Sequence, residues 1–348
     1  MDACCHEPSK NEHSHHPRKD WLFWASLVLI VIGYVGFFSH TRIQIFHHYS
    51  MSVYELMNRM WLGLGIGIFF VGILSKIPQQ FILSILGKPY SFQGILRATL
   101  AGLLLDMCSH GILLVGMKFY KRGASIGQTM AFLISSPWNS LSLTIILISL
   151  IGLKLTLLFI LLSMVIAVVS GCIFDRLVMN KVLPANPNAF QMPEDFLFFA
   201  HAKEGFKKTE FNLEFFRTVI WEGLKDSKMI IKWILFGVVI TAVVRALIPE
   251  DAFSKMVGPS FTGLLWTLLL ATVIEVCSEG AAPMASDIVR RAGAVGNGFL
   301  FLMAGVSTDY SEIMSLKETT GSWKIALFLP LVTVPQIVLL AYLLNHWH

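Results

Sequence analysis

The chain carries at positions 106–111 the hexapeptide Asp106-Met107-Cys108-Ser109-His110-Gly111, and 169 residues later it carries Glu275-Val276-Cys277-Ser278-Glu279-Gly280. Each copy reads acid, apolar, Cys, Ser, ionisable, Gly. Further matches continue in order at the same spacing: Phe92 with Phe261, Gly94 with Gly263, Leu96 with Leu265, Gly127 with Gly296, Phe132-Leu133 with Phe301-Leu302, and Gly152 with Gly321. Such a collinear series predicts an internal duplication. Its period is too long for a solenoid, so each copy is expected to form half of one domain.

The composition around these segments is that of a membrane protein. Of the 348 residues, 55% are hydrophobic and 14% are charged, whereas soluble domains have about 25% charged residues. Long apolar runs cover 21–38, 60–74, 124–150, 155–174, 230–244, 261–274 and 325–344. A bilayer core of ~30 Å needs about 20 such residues per helix. We therefore predict an all-α, polytopic integral membrane protein of about 8–10 helical segments in two homologous repeats.

Each half is expected to contain broken or re-entrant helices. The Cys-Ser-x-Gly segments bring Ser and Gly, which weaken a helix and can leave backbone groups facing a cavity. A second apolar run is interrupted at 135–139, and its counterpart at 304–309 also holds small and polar residues. Two-fold related halves typically place the substrate site between them near the membrane midplane. The sequence leaves open whether the repeats are parallel or inverted.

The chain divides into four parts by composition. These are a polar Cys/His-rich tail (1–20), a first transmembrane half (21–180, repeat core 77–152), a polar linker (181–227) and a second transmembrane half (228–348, repeat core 248–321). The run 21–38 is expected to be an uncleaved span, because no small-x-small cleavage site follows it. Basic residues near the linker ends place the linker on the cytoplasmic side of a cytoplasmic (inner) membrane. Aromatic stretches at 196–199 and 211–221 suggest interfacial helices.

The two signature segments are the predicted substrate site. An ionisable group within a bilayer tends to face a cavity or a partner and to mark function, and thiolates and imidazole bind soft metal and metalloid species. The predicted substrate-binding residues are Cys108, Ser109, His110, Cys277, Ser278, Glu279, Asn139 and Thr308. The alternative is that these small side chains only pack helices against each other.

Energy coupling and further sites follow from the same reading. No phosphate-binding loop and no dinucleotide-binding glycine pattern occur, and no nucleophile-base-orienter set is apparent, so we expect neither an enzyme nor a cofactor. Asp106 and Glu275 are predicted to carry protons. Asp309 and Glu312 are expected either to line the same path or to cap a helix near Lys317.

The N-terminal tail is a second predicted metal contact. It holds Cys4, Cys5, His6, His13, His15 and His16, and short Cys/His-rich tracts are typical of metal capture. Their spacing fits no closed four-ligand site. A disordered leader is therefore the alternative.

At the signature segments the sequence resembles the YraQ-like predicted permeases, a family that includes organoarsenical efflux permeases and relatives linked to copper and zinc export. The matching elements are Cys108-Ser109-His110-Gly111, Gly123-Ala124-Ser125-Ile126-Gly127 and Ala131-Phe132-Leu133-Ile134-Ser135-Ser136-Pro137. The resemblance runs from about Met57 to the C-terminus. Asp106 replaces the frequent Pro of the family motif, and His110 replaces its second Cys, so the family's cargo does not transfer directly.

The resemblance and the residues together predict a permease for efflux of a small soft metal, metalloid or organoarsenical species, coupled to protons. The expected partners are that substrate and the lipid bilayer, with no nucleic acid, and homo-oligomerisation is left open. The alternative function is a non-transporting membrane subunit or a metal or metalloid sensor.

Overall fold

The computed structural model describes residues 21–39, 43–76, 84–105, 109–138, 141–189, 212–247, 257–274 and 278–346. Within these ranges the chain forms 13 α-helices and one 3₁₀ turn. The helices up to residue 179 are α1 (Trp21–Phe38), α2 (Gln44–Lys76), α3 (Phe92–Leu104), α4 (Ser109–Lys121), α5 (Ile126–Ile134), α6 (Leu141–Ile151) and α7 (Leu153–Met179). The later helices are α8 (Leu213–Leu247), α9 (Phe261–Val273), α10 (Ser278–Arg291), α11 (Val295–Thr308), α12 (Tyr310–Thr320) and α13 (Trp323–Asn345).

The helices are those of a polytopic membrane protein, as predicted. Four described helical segments are long and apolar enough to cross a bilayer: Trp21–Phe38, Leu153–Met179, Ile230–Leu247 and Trp323–Asn345. Leu64–Lys76, Phe92–Leu104 and Phe261–Val273 are shorter apolar helices. The stretch 211–221, predicted as an interfacial helix, lies from Leu213 onward within helix α8.

Helices α3 and α4 of the first half both pack against α5. A Cβ placed on Gly94 would touch the Gln128 side chain, and one on Gly102 would lie 2.2 Å from Ser135 Oγ, so α3 and α5 run parallel. Helix α4 turns back into α5 at Gly123 (φ 96°) and packs antiparallel to it, with the Phe119 and Phe132 rings 4.9 Å apart. Helices α3 and α4 therefore run in opposite directions.

Local sequence explains where α5 begins and ends. Ser125 Oγ accepts a hydrogen bond from the backbone N–H of Gln128 at 3.1 Å, and Gln128 Oε1 accepts one from the backbone N–H of Ser125 at 2.9 Å. This capping box satisfies two N–H groups that a helix start leaves open. At the other end, Pro137 has no N–H to continue the helix, and Ser136–Trp138 form a 3₁₀ turn. The predicted break thus lies between α5 and α6.

The second half repeats this construction at the 169-residue spacing. Ser260 Oγ caps α9 by accepting from the N–H of Gly263 at 3.1 Å, as Ser91 Oγ caps α3 at 3.0 Å. Asn297 Nδ2 donates to the Gly258 carbonyl at 3.0 Å. Its counterpart in sequence, Gln128 Nε2, donates to the Gly87 carbonyl at 3.2 Å. The evolutionary duplication itself stays a prediction.

Helices α7 and α13, which correspond at the 169-residue spacing, run in opposite directions. Gln336 Nε2 in α13 donates to Ser170 Oγ in α7 at 2.9 Å. The end of α7 shares a pocket with Ser322 and Lys324 at the start of α13, so these two helices are antiparallel. Helix α4 also packs against α12, and the counterpart pair α10 and α6 packs in the same way. Such reciprocal contacts are what a two-fold relation between the halves produces.

A cluster of charged side chains joins α2, α4 and α8. Asp226 of α8 forms an ion pair with Lys118 of α4, and its Oδ2 lies 2.9 Å from Ser75 Oγ of α2. Nearby, Lys76 Nζ lies 2.9 Å from Glu222 Oε1. The Lys118 side chain is 10% exposed, whereas Lys76 is 36% exposed. The Asp226 pair is therefore less screened by solvent than the Glu222 pair.

Asp226→Asn is expected to lower the thermal unfolding midpoint, with a defined pH dependence. Burial raises the pKa of Asp226, but the hydrogen bonds from Lys118 and Ser75 and the charges of Lys118 and Lys121 together lower it by more, so the pKa lies below its ordinary 3.8. A carboxylate whose pKa is lower folded than unfolded stabilises the fold above its unfolded pKa, and that stability is lost as pH falls through the folded value. The difference between wild type and variant should thus be constant near neutral pH and shrink below about pH 4.

The matched control for this prediction is Glu222→Gln. Its ion pair is about as exposed as typical surface pairs, which contribute little to stability, so its unfolding midpoint should stay close to that of wild type. Equal shifts for the two variants, or a difference that grows on acidification, would contradict the assignment.

Candidate functional site

A small cavity lies where the broken helices of both halves meet. Its volume is about 20 Å³, which is room for about one water molecule. The residues that line it include Ser109, Pro137, Ile274, Ala281, Gly305 and Asp309. Ser109 follows the first signature cysteine in the chain, while Ile274 and Ala281 flank the second signature. Pro137 and Asp309 belong to the two later breaks, so the walls come from all four interruptions.

The first half places Ser109 and His110 at the start of α4. Ser109 is 9% exposed and His110 is 5% exposed. Within the described residues, Nδ1 of His110 has no hydrogen-bond partner. Helix α4 is fixed here by a close approach to α2, since a Cβ on Gly67 would lie 2.8 Å from the Cα of Gly111. A buried imidazole nitrogen without a hydrogen-bond partner can bind a soft ion through its lone pair or, when it carries a proton, donate to an anion.

Aromatic side chains hold the turn at Pro137 against the second half. The rings of Trp138 and Phe159 are 6.1 Å apart, and those of Phe159 and Phe299 are 5.3 Å apart, both edge to face. Phe159 lies in α7 and Phe299 in α11, and both are fully buried. Edge-to-face pairs favour one relative orientation. The position of Pro137 in the cavity wall is therefore tied to both halves.

Asp309 is a site residue that lay outside the predicted substrate set. It stands at the junction of α11 and α12, is 6% exposed, and lines the cavity. Although it occupies the N-cap position of α12, its side chain makes no capping hydrogen bond. One turn further, Glu312 is 4% exposed and its Oε2 accepts from Ser311 Oγ at 3.0 Å. Of the two roles left open for Asp309, the geometry favours lining the path over capping.

Thr308 is buried but engaged in helix packing. Its Oγ1 lies 2.8 Å from the Ala304 carbonyl and 2.9 Å from Thr272 Oγ1 of α9. The hydroxyl therefore joins the two broken helices of the second half. A substrate-binding role for Thr308 stays a prediction.

Most of the other predicted site residues lie outside the described part of the chain. These are Asp106, Cys108, Asn139, Glu275 and Cys277, and in the N-terminal tail Cys4, Cys5, His6, His13, His15 and His16. Ser278 and Glu279 belong to the first turn of α10, but their side chains are not among those described. Within the described residues, no group of three or more His, Cys, Asp or Glu side chains is arranged to hold a metal ion.

Comparison with known proteins places this architecture in a transporter family. The family model ArsP_1, described as a predicted permease, matches residues 44–346. The chain is 24% identical over 319 residues to the UPF0718 protein MJ0584 of Methanocaldococcus jannaschii, covering 76% of this chain and 85% of that relative. No solved structure matches. With its apolar spanning helices, the protein is a multi-pass membrane permease, and the resemblance noted from the signature segments is confirmed. On the match that spans nearly its whole length, the chain belongs to the ArsP_1 family of predicted permeases.

Proposed function

We propose that this permease exports a small soft metal, metalloid or organoarsenical species across the cytoplasmic membrane in exchange for protons. The observation that carries the proposal is the cavity whose walls combine Ser109, Pro137 and Asp309 with residues on both sides of the second signature. Substrate sites of transporters built from two halves typically lie at such a meeting point of discontinuous helices.

The opposite directions of α7 and α13 suggest how the cavity opens alternately to the two sides. In an inverted repeat, each half has in the other half a copy turned end over end, so one packing arrangement gives both inward-open and outward-open states. The contact of α4 with α12 and the contact of α10 with α6 would exchange their arrangements between the inward-open and the outward-open state. At about 20 Å³ the cavity is smaller than a methylated metalloid, so the walls from the two halves must move apart to admit a cargo of that size.

The chemistry proposed for the cargo rests on the thiols. Cys108 precedes the cavity residue Ser109, and Cys277 lies in the segment between the cavity residues Ile274 and Ala281. Thiolate sulfur selects soft ions such as Cu(I), Zn and trivalent arsenicals, and imidazole adds affinity for Zn and Cu. Nδ1 of His110, which is buried and has no hydrogen-bond partner among the described residues, offers a third ligand atom for such an ion.

Proton exchange is proposed on the carboxylates near the path. Asp106 and Glu275 belong to the signature segments, and Asp309 lines the cavity. Carboxyl groups in such surroundings can carry protons between the two sides. Export that continues unchanged in vesicles after the proton gradient has been collapsed would rule out the exchange, while leaving the permease assignment intact.

The cysteine variants test the cargo. In a deletion strain complemented with the permease and challenged with arsenite, methylarsenite, antimonite, copper or zinc, wild type should protect against at least one agent. Cys108→Ala and Cys277→Ala should each lower transport of that agent into inverted vesicles by at least about tenfold, since even outer partners of a metal-binding group change affinity by 10–100-fold. Cys172→Ala is the matched control, because Cys172 is a half-buried free thiol in α7. Equal transport by all three variants would contradict a soft cargo.

A second candidate function is a non-transporting sensor or subunit that binds the same ion through the same thiols. Vesicles that contain only this chain separate the two. Binding without accumulation would favour the sensor, and accumulation would favour the permease.

A further inference from the structure

A buried carboxylate lies away from the cavity, at the opposite end of α5. Asp175, one turn before the end of α7, is 3% exposed. Its Oδ1 accepts a hydrogen bond from the N–H of Gly127 at 2.9 Å, and its Oδ2 accepts one from Ser125 Oγ at 3.2 Å. Both donors belong to the N-terminus of α5. None of the roles assigned so far uses it.

The two helices approach each other closely next to this carboxylate. A Cβ on Gly127 would lie 2.3 Å from the Gly171 carbonyl oxygen and 2.5 Å from the Asp175 carboxyl. Gly127 therefore allows α5 and α7 to touch backbone to backbone, and the carboxyl group is held in a fixed place.

No cationic side chain of the described residues forms an ion pair with Asp175. Helix α5 contributes no titratable group, and on α3 the guanidinium of Arg97 donates to the Ser84 carbonyl at 3.5 Å. The titratable neighbours are the Cys172 thiol and the Tyr90 hydroxyl. Burial, and after it the negative charge of Asp175, raise the pKa of Tyr90. On its own element the next residue is the exposed Arg176, and on α13 Lys324 is exposed as well.

Two opposing influences act on the charge of this group. A buried carboxylate without a paired cation is strongly disfavoured relative to its protonated form. The two donors and the positive end of α5 favour the ionised form. In the protonated form the carboxyl O–H can itself donate to Ser125 Oγ, so the site has a hydrogen-bonding arrangement for each state.

The second half of the protein supplies an internal comparison. Asn345, near the end of α13, places Oδ1 2.7 Å from the N–H of Gly296 at the start of α11. A Cβ on Gly296 would meet the Ala341 carbonyl oxygen, just as one on Gly127 would meet Gly171. A neutral amide oxygen thus accepts a hydrogen bond from the corresponding N–H, while Asn345 Nδ2 donates to Asn297 Oδ1 at 2.7 Å. A negative charge is therefore not required to accept this hydrogen bond at the start of the helix.

We propose that Asp175 is a proton-binding site of the permease, which takes up a proton from water in one position of α5 and releases it in another. Helix α5 has nine residues, or about 13 Å, and Pro137 follows it in the cavity wall. Uptake forms one O–H bond on the carboxyl group. The hydrogen bonds between a charged carboxylate and the start of α5 then become weaker bonds of a neutral carboxyl group. Proton binding by Asp175 does not depend on the proposed function. Its coupling to transport does.

Infrared spectra of the purified full-length protein at neutral pH test the site. Wild type should show a carboxylic-acid carbonyl band that is lost in Asp175→Asn, while the unfolding midpoint is unchanged because an amide oxygen already accepts the corresponding hydrogen bond at Asn345. Superimposable wild-type and Asp175→Asn spectra would overturn the proposal. Should Asp175→Asn fail to fold, Ser125→Ala decides, since it removes the hydroxyl partner and must shift the band, and an unshifted band overturns the proposal.

Transport measurements separate this proposal from the proposed function. If wild type moves a cargo and Asp175→Asn moves it without sensitivity to the proton gradient, the coupling role is supported, whereas retained sensitivity overturns that role. If wild type moves none of the agents tested, the proposed function fails, and the infrared result still decides whether Asp175 binds a proton.

Discussion

Gly102→Ala is expected to destabilise the protein and to stop transport. A Cβ at this position would lie 2.2 Å from Ser135 Oγ and 2.3 Å from the backbone carbonyl oxygen of Phe132. Backbone atoms cannot move aside as a side chain does, so α3 must separate from α5 just before the break at Pro137. Overpacking of this kind typically costs about 1–3 kcal/mol. We expect a lower unfolding midpoint in detergent and loss of accumulation in vesicles.

The control for this prediction is Gly65→Ala in α2, where nothing lies within 4 Å of the added Cβ. Alanine is the better helix former by about 1 kcal/mol. The control should therefore raise the unfolding midpoint, while Gly102→Ala lowers it. Two variants with the same sign of effect would show that the close approach of α3 and α5 does not control stability.

The sequence predicts the apolar helices well because lipid imposes a simple rule on composition. The run Trp21–Phe38 coincides with α1, and the breaks next to Ser109 and at Pro137 fall where small residues and proline weaken a helix. These features depend only on neighbours in the chain. Local chemistry is enough to locate them.

Helix α2 shows where composition is insufficient. The apolar run starts at Met60, yet the helix begins at Gln44, because its polar part is stabilised by distant partners. Glu55 Oε2 lies 3.3 Å from Arg245 Nη1 of α8, and Asn58 Oδ1 lies 3.5 Å from the Tyr34 hydroxyl of α1. No periodicity within residues 44–59 identifies these partners.

The candidate site shows a second limit. Matching the two halves selects residues that recur in both, and the counterpart of Asp309 at the 169-residue spacing is Ser140. A search for shared chemistry therefore gives Asp309 no support, and the sequence leaves it as either lining the path or capping a helix. The relative direction of the two halves could not be predicted either. A repeat spacing in the sequence is the same for parallel and for inverted repeats, and the contact of Ser170 with Gln336 between antiparallel helices is visible only in the structure.

Asp309→Asn is expected to lower the initial rate of transport by about 10- to 100-fold, since hydrogen bonds to charged groups contribute about 1.5–3 kcal/mol. The carboxylate is buried, lines the cavity and makes no cap for α12. A neutral amide of the same shape therefore changes the charge of the cavity with little effect on the helix. The measurement is the initial rate of cargo uptake into proteoliposomes, together with the unfolding midpoint of the purified variant.

Glu318→Gln is the matched control on the same helix. Its Oε1 lies 3.0 Å from Lys317 Nζ, away from the cavity walls, and the substitution likewise removes one negative charge. If the path runs through the cavity, only the Asp309 variant loses rate while both keep their unfolding midpoints. Equal rates for the two variants would mean that the charge next to Ser109 and Pro137 is not met by the cargo, and the substrate path would have to lie elsewhere between the halves.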